Sequence, residues 1–133
     1  MTNLLITPLF VILKQSTIHK MRRILVCGGC FFNDKEFVFR HLSLNVNKDD
    51  IIINGGAHGA DSLASEFAKL NGNKCFVFPA LWNLYGLAAG PIRNQRMIDE
   101  GEPDFVIAFP GRNGTADMVR RAKFHKIKVI SCE

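Results

Sequence analysis

At 133 residues the chain is sized for one domain, and it is long enough to bury a core without disulfides or metal. Its 47% apolar and 22% charged residues are ordinary for a globular protein, and no low-complexity segment or internal repeat interrupts them. The net charge of +5 suits an anionic ligand. The basic residues are scattered except for Arg120, Arg121 and Lys123 and for Lys126 and Lys128, which read as a solvated helix face before a nucleic-acid surface.

Residues 1–20 stand apart. The apolar stretch from Leu4 to Leu13 is about ten residues, too short to span a bilayer. It lacks a basic leader region and a small-residue cleavage site, so it is a poor signal peptide. Met21 stands directly before the first clear strand, and residues 1–20 read as an appendage to a domain over 21–133, with an added strand or packing arm as the alternative.

From Met21 onward the elements alternate. Arg23–Cys27 is a short apolar strand, and Asp34 is placed to cap a helix running to about Asn45. Ile51–Asn54 is a second strand. Ala60, Leu63, Ala64, Phe67 and Ala68 then recur at steps of three and four, the pattern of an amphipathic helix that Gly72 would stop. Lys74–Phe78 is a third strand, followed by a longer polar and aromatic loop, "PALWNLYGLAAG". Pro91 suits the first turn of a helix ending at Gly101. Phe105–Phe109 is a fourth strand, Thr115 is placed to cap a last helix to about His125, and Ile127–Ser131 alternates as an edge strand would. Continuous apolar strands alternating with helices predict an α/β domain: a Rossmann-like, doubly wound, mostly parallel five-stranded sheet with helices on both faces.

In such sheets a ligand sits beyond the carboxyl ends of the strands. The glycines agree with that rule. Gly28 and Gly29 follow strand one, Gly55, Gly56 and Gly59 follow strand two, and Gly111 and Gly114 follow strand four. Glycine turns backbone N–H groups toward a ligand, and a helix start adds free donors and partial positive charge. Three such loops on one edge predict a phosphate cradle. No loop carries a Gly-Lys-Ser/Thr phosphate motif, and no G-x-G-x-x-G follows strand one, which disfavours ordinary kinases and dinucleotide dehydrogenases.

The stretches "RILVCGG", "NGGAHGADSLASEFA", "AAGPIRNQRMIDEG" and "FPGRNGTADMVRRA", in this order, resemble the YspA-like, cpYpsA-related group of the SLOG superfamily over roughly residues 22–131. The resemblance implies a Rossmann-like fold binding a nucleotide or nucleotide-derived molecule, phosphorylated or ADP-ribose-like, as a sensor or sequestering protein, and it implies a homo-oligomer. Distant relatives, the Lonely-guy type phosphoribohydrolases, cleave an N-glycosidic bond with Pro-Gly-Gly-x-Gly-Thr-x-x-Glu and an upstream Arg. Here Pro110, Gly111, Arg112, Asn113, Gly114, Thr115, Ala116, Asp117 and Met118 align with the first motif, and Arg93 matches the second. Met118 stands where those enzymes have their catalytic glutamate, and it cannot exchange a proton. Cys30 stands where YspA-like proteins usually have arginine.

The expected ligand-binding residues are therefore Gly28, Gly29, Cys30, Gly55, Gly56, His58, Gly59, Asp61, Arg93, Asn94, Pro110, Gly111, Arg112, Gly114 and Thr115. Any catalysis would fall to Arg93 for charge stabilisation and to Asp117 or Asp61 as acid or base. Each has a plainer reading. Asp61 suits a helix dipole without a ligand, His58 suits an exposed loop, and Thr115 suits a cap. Trp82 and Tyr85 either stack on a base or anchor their loop to the core. Cys27 and Cys30 have redox-pair spacing without the rest of a thioredoxin-like pattern, and the histidines show no metal-ligand spacing. Neither metal nor cofactor is expected. Four cysteines without a disulfide framework suggest a cytoplasmic setting.

Overall fold

The computed structural model describes residues 21–133. The expected appendage, residues 1–20, lies outside the described residues. Five strands, β1 (Arg23–Cys27), β2 (Ile51–Asn54), β3 (Cys75–Val77), β4 (Phe105–Ala108) and β5 (Lys128–Ser131), form one sheet in the order β3-β2-β1-β4-β5. Every pairing is parallel, a step beyond the mostly parallel sheet expected. β5 is an edge strand, as its alternation predicts, and β3 is the other edge.

Alternate side chains of the central strands serve opposite faces. Ile24 and Val26 of β1, Ile52 of β2 and Ile107 of β4 join one core with Val38, Leu42, Ala64 and Phe67. These last come from α1 (Lys35–Asn45) and α2 (Ala60–Asn71). Leu25, Ile53 and Val106 point the other way, to Met97, Ile98, Met118 and Ala122. Those belong to α4 (Ala89–Asp99) and α5 (Asn113–Phe124). The chain thus winds one way from β1 and the other way through β4, and the direction reverses between these two neighbours.

Local chemistry sets the boundaries. The Asp34 carboxylate accepts from Phe37 N at 3.1 Å and opens α1. Gly72, at φ 79°, closes α2 in the left-handed conformation. The nearly fully buried Asp50 accepts from Arg22 Nη2 at 2.6 Å and from Asn47 N at 2.8 Å, which fastens the start of β1 to the turn before β2. This fastening lies at the amino ends of the strands, away from the glycine loops. Burial alone would raise the Asp50 carboxyl, but the Arg22 guanidinium and the Asn47 amide hold it below the ordinary carboxylate range.

Two expectations need correction. The segment after β3 is not a plain loop. It holds a short helix, α3 (Trp82–Tyr85), and a 3-10 turn over Gly86–Ala88. Its aromatic side chains are not buried in the core either: Trp82 is 57% and Tyr85 44% exposed. And Thr115 is not the cap of α5. The helix begins at Asn113 after Arg112, which makes no side-chain cap bond, so Thr115 falls inside the first turn.

Candidate functional site

A cleft of about 990 Å³ opens over the carboxyl ends of β1 and β4, at the reversal point, with a volume at the upper end for small-molecule sites. Its wall includes Gly28 and Gly29 after β1, Pro110 and Gly111 after β4, and the start of α5. The loops are stitched together at Gly29. Its N–H donates to Pro110 O at 2.8 Å, and its carbonyl accepts from Ala60 N at 3.2 Å, at the start of α2.

That stitching explains several glycines without a ligand. A Cβ on Gly28 would lie 2.9 Å from Phe109 Cβ and closer still to Ala60. One on Gly111 would strike Thr115 and the Gly29 amide. Gly59, at φ 74°, leaves no room for a side chain against Gly29 O and Cys30. Among the described residues, backbone donors without a protein acceptor stand at the start of α5. Asn113, Gly114 and Thr115 open α5, whose first intrahelical bond is Ala116 N to Arg112 O, and their own N–H groups have no acceptor in the helix. Gly114 has nothing within 4 Å of a notional Cβ.

Cys30, Asp61, Arg93, Asn94, Arg112, Thr115 and Asp117 also line the cleft. Gly55, Gly56, His58 and Gly59 are not on its wall. Gly56 and His58 are exposed, whereas Gly55 is buried beneath the Arg93 guanidinium. The loop after β2 reaches the cleft through Ala57, a residue the sequence reading missed because alanine carries no chemical signal. Asn54, the last residue of β2, shapes that loop: fully buried, it accepts from Gly56 N at 2.8 Å and donates to Ser65 Oγ at 2.8 Å.

Arg93 is half-buried on the first turns of α4. Nη1 donates to Gly55 O at 2.6 Å and Nε to Asn94 Oδ1 at 3.0 Å. Among the described residues no carboxylate lies within 4 Å of it. Burial lowers its pKa, with Asp61 opposing that shift; it remains a cation. Asp61, in the first turn of α2, is 6% exposed, and its Oδ2 accepts from Ala57 N at 3.1 Å. Burial pushes its carboxyl up to about 6, against the pull of the Ala57 and Gly55 amides and of Arg93.

Asp117 has different company. It accepts from Arg121 Nε at 2.8 Å, Asn94 Nδ2 at 3.0 Å and Arg120 Nη2 at 2.9 Å. Burial works to raise its carboxyl, but Arg121 and Asn94, with the Arg120 charge, hold it below the usual range. Asp117 therefore stays ionised and ties α4 to α5. Asn94 also donates to Gly114 O at 3.2 Å, so this cluster fixes the start of α5. Met118 is buried and lines the cleft as an apolar contact. Burial pushes the Cys27 thiol up to about 12, which leaves no thiolate for redox exchange with Cys30 near neutral pH.

Asp61 yields a stability prediction with a definite sign. Its folded pKa lies above its unfolded value, so its contribution is fully present below about pH 4 and is lost as the pH rises through about 6. Asp61→Asn keeps an acceptor for Ala57 N and removes the charge. It is expected to stabilise the fold by about 1–2 kcal/mol more near pH 7.5 than near pH 4.5 in urea melts.

The geometry defines an α/β domain with a cleft at its switch point. A model of the YspA, cpYpsA-related SLOG family matches residues 22–85. The chain is also 34% identical over 121 residues to the Gene 61 protein of Mycobacterium phage D29, an alignment spanning 84% of this chain and 96% of that protein. It belongs to the YspA, cpYpsA-related SLOG family, and membership points to a nucleotide-related function. No solved structure matches the chain. Among the described residues no helix is long and apolar enough to cross a membrane.

Proposed function

We propose that the protein binds a phosphate-bearing, nucleotide-derived small molecule in this cleft, as a sensor or sequestering protein. One observation carries the reading: a half-buried arginine with no carboxylate within 4 Å among the described residues faces the same cleft as the amides that open α5. Buried charge is unfavourable unless compensated, and a phosphate compensates both the guanidinium and the helix start. Family membership supports the same class of ligand.

Titration calorimetry and thermal shift with AMP, ADP, ADP-ribose and ribose 5-phosphate test it. At least one of these compounds is expected to raise the melting temperature, with the stabilisation growing as the logarithm of its concentration over Kd, and adenosine is expected to bind at least about tenfold more weakly than AMP. Silence from every phosphate compound overturns the proposal.

A second reading rests on Asp61. A carboxyl titrating at about 6 beside an arginine in a cleft is suited to proton transfer near neutral pH, as cleavage of a nucleotide N-glycosidic bond requires. Asp117, held ionised by two arginines, is less suited to the acid role. Chromatography of the incubated nucleotides decides between the readings: released base supports the hydrolase, and no product at high protein concentration removes it.

A further inference from the structure

The cleft wall carries two kinds of surface. Its anion-accepting groups stand on the loops after β1 and β4 and on the starts of α4 and α5. Its remaining wall includes Phe31, Trp82 and Leu87, which are 86%, 57% and 95% exposed. Exposing three large apolar side chains around one opening is unfavourable for a free surface and marks a contact site. Trp82 is not loose there. The Cη2 corner of its ring lies over Gly90, at the start of α4, where an added Cβ would sit 3.4 Å away. The ring is seated by one corner and remains more than half exposed.

Resting on the reading of the cleft as a nucleotide site, we infer that Trp82 and Phe31 form a stacking platform that takes the base of the ligand without reading its identity. The three rim side chains offer a single hydrogen-bonding group, the indole N–H, and no acceptor. Two of the polar side chains on the wall are engaged with the protein itself: Asn94 bonds Gly114 O and Asp117, and Asp117 bonds two arginines. Stacking accepts any base because every base has a π face, and it favours purines by their larger area. The recognised class is thus a purine nucleoside phosphate of either base.

Trp82 is the only tryptophan in the chain, so its fluorescence reports on this platform alone. The test titrates AMP, GMP and ribose 5-phosphate into the full chain and into Trp82→Ala, Trp82→Phe and Phe31→Ala, with calorimetry for affinity and wild-type emission for stacking. Both aromatic positions are solvent-exposed, so the fold should survive either change. Saturating AMP or GMP is expected to quench the emission, with affinities within about threefold of each other, since stacking does not discriminate them. Trp82→Ala is expected to weaken both about tenfold, Trp82→Phe to recover most of that loss, and ribose 5-phosphate to be indifferent to either change. If AMP binds while emission is unchanged and neither alanine variant weakens it, the platform is overturned and the anion site stands. A preference for one purine beyond about tenfold overturns base tolerance. If neither nucleotide nor ribose 5-phosphate produces heat or a thermal shift, the nucleotide reading fails and takes the platform with it.

Discussion

Gly59→Ala is expected to cost at least about 3 kcal/mol, a fall in melting temperature on the order of 10 °C, whereas Gly114→Ala leaves the fold intact and weakens ligand binding. The two glycines serve different purposes. Gly59 sits at φ 74°, ψ −128°, a region closed to side chains, and a Cβ there would run into the backbone of Gly29 and Cys30. Relieving the clash separates the start of α2 from the first loop and breaks the bond from Ala60 N to Gly29 O. Because Gly29 also donates to Pro110 O, the disturbance passes to the loop after β4. Gly114 has no such neighbours, and alanine is the better helix former there, so the melt of Gly114→Ala should match or exceed that of the wild type. Its added methyl stands on the cleft wall beside the free amides, where a phosphate would approach. Circular dichroism melts separate the two cases, and calorimetry with AMP completes the contrast. If Gly59→Ala melts like the wild type, the stitched-loop account is wrong.

Those two positions also mark what the sequence could and could not tell. The glycines after β1, β2 and β4 are plain in the sequence, and so is the edge of the sheet on which they gather. Whether the space over each is filled by another loop or left for a ligand depends on contacts between segments far apart in the chain, such as Gly29 with Pro110. The strands were legible because continuous apolar runs need burial on both faces. The run around Phe76 is equally apolar, yet β3 is an edge strand with Phe76 and Val77 exposed, since strand order is a long-range property. The short α3 escaped notice because four residues carry no helical period. The pairing of Asp117 was readable in principle, since Arg120 and Arg121 follow at the three- and four-residue steps that bring helix side chains together. Phe31 and Leu87 gave no such signal. Their exposure, which makes them informative, is a property of the folded surface only.

Arg93→Ala is expected to lower the affinity for AMP and for ribose 5-phosphate alike by about 10- to 100-fold, with Arg93→Lys recovering part of the loss. Of the five N–H donors of the guanidinium, one bonds Gly55 O and one Asn94, which leaves three for an anion. A lysine keeps the charge but cannot brace Gly55 and grip a phosphate through one planar fork. The alternative is that Arg93 acts on the ligand only through the Asp61 carboxyl. Asp61 separates the two roles. Burial raises the Asp61 carboxyl and the Arg93 charge opposes the rise, so removing that charge must push the carboxyl above about 6. The ionised form then becomes more costly, and Arg93→Ala should lose more stability near pH 7.5 than near pH 4.5, where Asp61 is protonated in either protein. In the Asp61→Asn background that pH-dependent difference should vanish, while the loss of phosphate affinity should remain. Affinity that returns to the wild-type value in the double variant would mean that Arg93 acts on the ligand only by restraining Asp61. Affinity that stays low excludes that route and is the result expected for a guanidinium that meets the phosphate itself.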